Sequence, residues 1–222
     1  GAPARLKTLA ADIVDHWENR RSQMTKVIGA NGKAMIVGAT REICANLYTA
    51  ITTLRPDWHS DDPEHGAIKI VMTGSASDKA LLRPHIYGSA IKKRLEKRFK
   101  DENDPLEIVI VRDMWLTGFD APPVHTLYVD KPMQGHGLMQ AIARVNRVFR
   151  DKPSGLVVDY IGIGHELREA IRRYTKATGD DREPVDISGQ TLKILLDTLD
   201  VIRREVVERT LAGMRADSSA RR

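Results

Sequence analysis

Five short apolar runs recur along the chain: "AMIVGA" (34–39), "IKIVM" (68–72), "EIVIVR" (107–112), "HTLYVD" (125–130) and "GLVVDY" (155–160). They are rich in Val and Ile and nearly continuous, the pattern of strands buried on both faces, as in a parallel sheet. Helical periodicity lies between most of them. Ile43, Leu47, Ile51 and Leu54 follow the first run, and Ile91, Leu95 and Phe99 precede the third. Ahead of the first run, Leu6, Leu9, Ile13, Val14 and Trp17 predict an amphipathic helix over 5–20. Strand–helix alternation of this kind predicts a three-layer α/β sandwich, with ligands at the carboxyl ends of its strands. Near residue 180 the connector "TGDDREPVD" changes the character of the chain. A second helical stripe follows over 189–211, through Leu192, Leu195, Leu196, Leu199, Ile202 and Val206, before a polar tail.

Composition narrows the class. The 222 residues are 41% apolar and 29% charged, ordinary for a globular protein. No apolar run reaches the roughly 18 residues of a membrane span. No signal peptide opens the chain, and its Gly-Ala-Pro start suggests processing or cloning. The single cysteine, Cys44, excludes an internal disulfide and fits a reducing cytoplasm. A net charge of +5 permits a nucleic-acid partner.

The chemistry concentrates in two segments. "DMWLTGFDAPP" (113–123) follows the third run, with Gly118 and Pro122 marking a tight loop and Thr117 and Asp120 offering oxygen ligands. "QAIARVNR" (140–147) sits in an apolar surround. At about 100° per residue, Leu138, Ile142, Val145 and Phe149 form one stripe, and Gln140, Arg144 and Arg147 face the other way. A solvated polar face would read the same way if the helix stood alone.

The order strand, Thr-Gly-x-Asp loop, strand, Gln-x-x-x-Arg-x-x-Arg helix resembles motifs V and VI of superfamily 2 helicases, in their second RecA-like lobe. "AMIVGATREICANLYTAI" looks like motif IV. The wording "VIVRDMWLTGFDAPPVHTLYVDKPMQGHGLMQAIARVNR" is similar to the motor (R) subunit of type I restriction enzymes. The resemblance covers roughly 30–175. Ala143 and Asn146 stand where many helicases have Gly before each Arg. It implies a linking helix over 1–30, a RecA-like lobe with a parallel sheet and flanking helices over 31–180, and the start of a C-terminal helical region over 181–222.

For function, the resemblance implies one lobe of an ATP-dependent double-stranded DNA translocase within a type I site-specific deoxyribonuclease. ATP would sit between two lobes, with Mg²⁺ held by the first. Arg147 would be the arginine finger, Arg144 its phosphate or coupling partner, and Gln140 a group positioning water or a neighbouring loop. Gly118 would let backbone approach the nucleotide, and Asp120 would bond the ribose or an arginine of the next motif. Thr40, Thr73, Ser75 and Thr117 would touch DNA. Partners would be duplex DNA, the first lobe and nuclease domain of the same parent chain, and methyltransferase and specificity subunits. Another superfamily 2 helicase lobe, or a non-catalytic DNA- or protein-binding α/β module, are the alternatives.

Equally informative is what the text lacks. A phosphate-cradling loop needs G-x-x-x-x-G-K-[ST]. "GANGKA" (29–34) has the wrong spacing and precedes a strand, so it reads as a turn. No Asp-Glu pair follows a strand as a magnesium site. The chain thus reads as half a motor, inactive alone.

The remaining candidates are weaker. Ser75 and Asp78 have capping-box spacing, so a helix start is expected there, either ordinary or holding a DNA phosphate. "KKRLEKRFK" (92–100) reads as a solvated basic face, with phosphate contact the lesser alternative. "HSDDPEH" (59–65) reads as a polar loop without metal-ligand spacing. His136 reads as part of a turn, and Cys44 as buried and inert.

Overall fold

A computed structural model describes residues 3–152 and 155–163, with the backbone alone at Gly135 and His136. Helix α1 (Pro3–Ile28) leads into strand β1 (Lys33–Gly38) and helix α2 (Arg41–Leu54). Strand β2 (Ile68–Val71), helix α3 (Ser89–Lys100) and strand β3 (Ile108–Val111) follow. Strand β4 (Val124–Asp130), helix α4 (Gly135–Val145) and strand β5 (Leu156–Asp159) complete the described core. The strands form one sheet in the order β2-β3-β1-β4-β5, and every pairing is parallel. The helical region expected after 180 lies outside the described residues.

Side chains alternate across each strand, yet both faces are apolar because helices cover both. Met35, Val37, Val109, Val111, Leu127, Val129 and Val157 pack toward α3 and α4. Ala34, Ile36, Ile108, Ile110, Tyr128 and Val158 pack toward α1 and α2. This is the three-layer α/β sandwich expected from the periodicity.

Two elements differ from the sequence reading. Helix α1 is longer, because Met24 lies seven residues after Trp17, two turns on, and Ile28 adds one more turn to the same buried stripe. Gly29, at φ +65°, then ends it. The helix expected to start at Ser75 is absent. Residues 72–88 instead run through turns and a short 3₁₀ segment, Arg83–His85, and α3 begins only at Ser89. Asp78 does bond the Ser75 N–H, at 2.6 Å, but its carboxylate also engages Arg41, which closes a loop instead of a helix.

α1 docks on the sheet through a polar seam as well as its apolar stripe. Arg5 pairs with Asp130, the Tyr160 hydroxyl donates to Asp12 (2.7 Å), and His16 Nδ1 meets the Tyr128 hydroxyl (2.7 Å). Trp17 stacks on His125, ring centroids 5.3 Å apart, and Arg21 pairs with Glu107. As the α1 numbers rise from 5 to 17, the β4 numbers fall from 130 to 125, so this part of the helix runs antiparallel to β4. Space is tightest at Gly32, where a Cβ would clash with the edge of the His125 ring, 2.1 Å from its Nε2. Burial, then the positive charges of Arg20 and Lys152, push His125 down to about 3.

His125 is therefore neutral in the folded chain, whereas in the unfolded chain it titrates near 6.5. The unfolded state binds the extra proton, so this contribution is complete above pH 6.5 and is lost progressively as pH falls toward 3. Urea unfolding of the wild type and of His125→Asn at several pH values should show it. The wild type should lose up to about 1.4 kcal/mol more per pH unit below 6.5; parallel pH profiles would contradict it.

Candidate functional site

No helix joins β3 to β4. The chain crosses from the carboxyl edge of the sheet to its amino edge through the loop 112–123, and the Pro123 carbonyl meets the Lys33 N–H at the start of β1 (3.0 Å). Aromatic side chains hold this loop. Trp115 and Phe119 are buried and stack at 4.5 Å with an interplanar angle of 4°, and Phe99 of α3 stacks on both, at 5.9 and 6.2 Å. Turning the aromatic residues inward turns Thr117, Gly118 and Asp120 outward, and all three are exposed. Trp115 and Gly118 adopt left-handed backbone, at φ 65° and 67°. For Trp115 that conformation costs on the order of 1–3 kcal/mol, which the stack offsets. At Gly118 a Cβ would meet nothing within 4 Å. The space before it is open, and the backbone can be approached closely.

α4 packs against the same face of the sheet through Leu138, Ala141, Ile142 and Val145. It ends at Val145, earlier than the wheel assumed. The Asn146 N–H caps the Ile142 carbonyl (3.1 Å), and its side-chain oxygen accepts from Gly155 N–H (3.1 Å). Arg147, Val148 and Phe149 therefore lie beyond the helix. Phe149 is half-buried and is not part of the buried stripe, and Val148 is 91% exposed. The polar set still assembles, by a different route. Arg144 Nε donates to the Leu116 carbonyl (3.4 Å), and Arg147 Nε pairs with Asp120 Oδ1 (3.4 Å). Gln140 is half-buried one turn before Arg144. The loop bearing Gly118 and the segment bearing both arginines thus meet.

A second group sits at the opposite edge. Thr40 caps α2, its hydroxyl accepting from the Ile43 N–H (3.1 Å). The next residue, Arg41, donates to the Thr73 carbonyl and to Asp78, both at 2.9 Å. That guanidinium, followed by the Ser75 N–H, holds the Asp78 carboxyl below the usual carboxylate range. Thr40, Thr73 and Ser75 are exposed together along the carboxyl ends of β1 and β2. The arginine pair is not there. The carbonyl of Val145, like that of Val124 at the start of β4, accepts from Lys152 Nζ (3.1 and 3.0 Å), which places the end of α4 at the amino edge of the sheet. The candidate residues therefore form two groups, with Thr117 in the loop that runs between the edges.

Sequence reasoning missed Arg41, which joins two loops through Asp78, and Arg150 and Lys152, which fix the chain after α4. Periodicity carries no signal for contacts of this kind. Among the described residues no cluster of three His, Cys, Asp or Glu stands ready to hold a metal ion. In the 59–65 loop, His65 pairs with Asp62 and His59 meets Tyr48. Cys44 is buried, and burial pushes its thiol up to about 12. On α3, Arg94 pairs with Glu64 and Lys100 with Glu96, while Lys93 and Lys97 face solvent. The side chain of His136 lies outside the described residues.

With this geometry in place, comparisons with known proteins are specific. Residues 79–162 match the family model "Type I restriction enzyme subunit R domain 3". The chain is 52% identical over 206 residues to the type I restriction enzyme HindI endonuclease subunit of Haemophilus influenzae, covering 91% of this chain and 19% of that protein. It is 42% identical over 177 residues to the MjaIXP endonuclease subunit of Methanocaldococcus jannaschii, covering 79% and 16%. The chain therefore spans less than a fifth of these relatives' length. Among solved structures it is similar to domain 2 of the DEAD-box helicase Mss116p bound to an RNA duplex, with 19% identity, a TM-score of 0.47, and coverage of 87% of this chain and 65% of that one.

The two glycines in this region predict opposite responses. Gly118→Ala forces a side chain into left-handed backbone and should lower stability by about 1–2 kcal/mol. Gly137→Ala, in the first turn of α4 with open space around it, should raise it by about 0.5–1 kcal/mol. Thermal unfolding of both variants checks this; equal shifts would contradict the conformational reading.

Proposed function

The chain belongs to the R-subunit family of type I restriction enzymes, and from that membership we propose that it is the second RecA-like lobe of an ATP-dependent double-stranded DNA translocase. The observation that supports this best is the meeting of Arg144 and Arg147 with the 112–123 loop beside an open, left-handed Gly118. A triphosphate suits this donor set: two guanidiniums, permanently charged, beside backbone that nothing shields. When bound between two lobes, ATP supplies the phosphoanhydride whose hydrolysis drives stepping. We assign magnesium to the first lobe.

In this reading Arg147 is the finger. It is exposed and, among the described residues, pairs with exposed Asp120, a surface pair worth about 0–1 kcal/mol, so exchanging Asp120 for a phosphate oxygen is inexpensive. Once there, its planar guanidinium stabilises charge developing on the transferred group. Arg144, bonded to the Leu116 carbonyl, couples the helix to the loop, and Gln140 positions a water or neighbouring loop. Gly118 gives the nucleotide close access to backbone. Asp120, which holds Arg147 here, is free to bond the ribose after the exchange. At the other edge, Thr40, Thr73 and Ser75, with Thr117 on the loop, are the proposed contacts to DNA phosphates, which position a protein without reading sequence. The separation of the two groups suits the work of a motor lobe, with nucleotide met on one side and the track on another. The partners follow: duplex DNA, the first lobe and nuclease domain of the parent chain, and methyltransferase and specificity subunits, in the cytoplasm.

Two experiments test this. In the intact subunit carrying both lobes, Arg147→Ala should reduce ATP turnover by about 10³-fold or more while leaving nucleotide affinity largely intact. Arg147→Lys should not restore it, since an ammonium lacks the planar fork. Near wild-type turnover for Arg147→Ala would refute the finger. The isolated chain, lacking a phosphate loop, should show no ATPase activity with or without DNA; sustained DNA-stimulated hydrolysis would refute the half-motor reading.

A further inference from the structure

We infer that Arg150 is a positioning residue for Arg147, setting where the finger stands by clamping the turn that carries it. This rests on the reading of Arg147 given above. Three observations carry it. First, Arg147 lies past the end of α4, so helical geometry does not fix it. Second, core packing does not fix it either: Val148, the next residue, is 91% exposed, and Phe149 is only half-buried. Third, the far end of the turn is held by an arginine in a conformation that side chains rarely adopt. Arg150 stands at φ 46°, and its Nη1 donates to the Ile28 and Gly29 carbonyls, both at 3.2 Å, at the carboxyl end of α1. Its Nη2 pairs with Glu102, and its guanidinium carbon lies 5.7 Å from the centre of the Phe149 ring.

The energetics fit a clamp. Left-handed backbone at a non-glycine residue is unfavourable unless its surroundings enforce it. Here a guanidinium meets the negative end of the α1 dipole and two carbonyls that the helix leaves unsatisfied. At the opposite end, Asn146 accepts from the Gly155 N–H and Lys152 Nζ donates to the Val145 carbonyl, while the Lys152 N–H closes the turn beside Arg150 on the Phe149 carbonyl (3.0 Å). Only residues 147–149 span the two anchors. Releasing Arg150 lets that short arc swing, and Arg147 with it.

The test uses the intact two-lobe subunit and a double-mutant cycle. Arg150→Ala should lower kcat for ATP by on the order of 10- to 100-fold, the size expected of a misplaced catalytic group, with KM and nucleotide affinity little changed. Arg147→Ala/Arg150→Ala should be no slower than Arg147→Ala alone, because Arg150 acts only through Arg147. Glu102→Gln, which loosens the clamp and spares both carbonyl contacts, should give a smaller loss of the same kind; it also serves if Arg150→Ala fails to fold. Losses that add in the double variant, or full turnover in both Arg150→Ala and Glu102→Gln, would overturn the inference while leaving the finger intact. Full turnover in Arg147→Ala would instead remove the reading on which it rests.

Discussion

A parallel sheet covered on both faces has a problem at its amino edge, where chains arrive from loops and water is largely excluded. Carbonyls there need donors that the sheet does not supply. Three buried lysines meet that need. Lys33 Nζ donates to the Asp104 and Leu106 carbonyls, at 2.6 and 2.7 Å. Lys69 reaches Asp62 (2.8 Å) and Ser60. Lys152 gathers Pro122, Val124 and Val145. Each places a cation where it is poorly solvated, and burial pushes Lys33 and Lys152 down to about 8. The return is that loops with no regular structure of their own are fixed to the sheet. The arginine site is built on the segments that Lys152 holds.

The site is thus a product of irregular segments held by specific anchors. Aromatic stacking fixes the 112–123 loop from inside, so that its polar residues have no alternative but to face out. Lys152, Asn146 and Arg150 fix the turn after α4. Neither anchor set touches the charged ends of Arg144 or Arg147, yet both determine that those ends meet the loop. Both sets also lie on the α3/α4 face of the sheet or at its amino edge, remote from the threonines at the carboxyl edge.

Elements with a strong period were legible in the sequence. The five strands, α2 and α3 follow from apolar runs and from i, i+4 spacing, because two-sided burial and a single buried stripe each leave a direct trace in residue order. The site was legible in content and less so in shape. The Thr-Gly-x-Asp loop and the two arginines could be named, but a helical wheel placed Arg147 and Phe149 on a helix that stops at Val145. What stops it is Asn146, whose side chain finds Gly155 nine residues on, a contact that no local pattern encodes. The helix expected at Ser75 failed for a related reason. Asp78 has the right spacing to cap, but Arg41, 37 residues away in sequence, also claims its carboxylate. Long-range partners outvoted local propensity in both places.

The way α1 lies on the sheet has a mechanical consequence. Its side-chain links, from Arg5–Asp130 through Tyr160–Asp12 and His16–Tyr128 to Trp17–His125, run in sequence along the direction of β4. A pull on the amino end of the helix, directed along its axis, loads all of these together, in shear. The same contacts arranged across the axis would open one after another, like a zip. Tension entering the domain through α1 is therefore shared by the whole seam and passed into the sheet, so that little of it reaches the other end of the helix, where the Ile28 and Gly29 carbonyls hold Arg150.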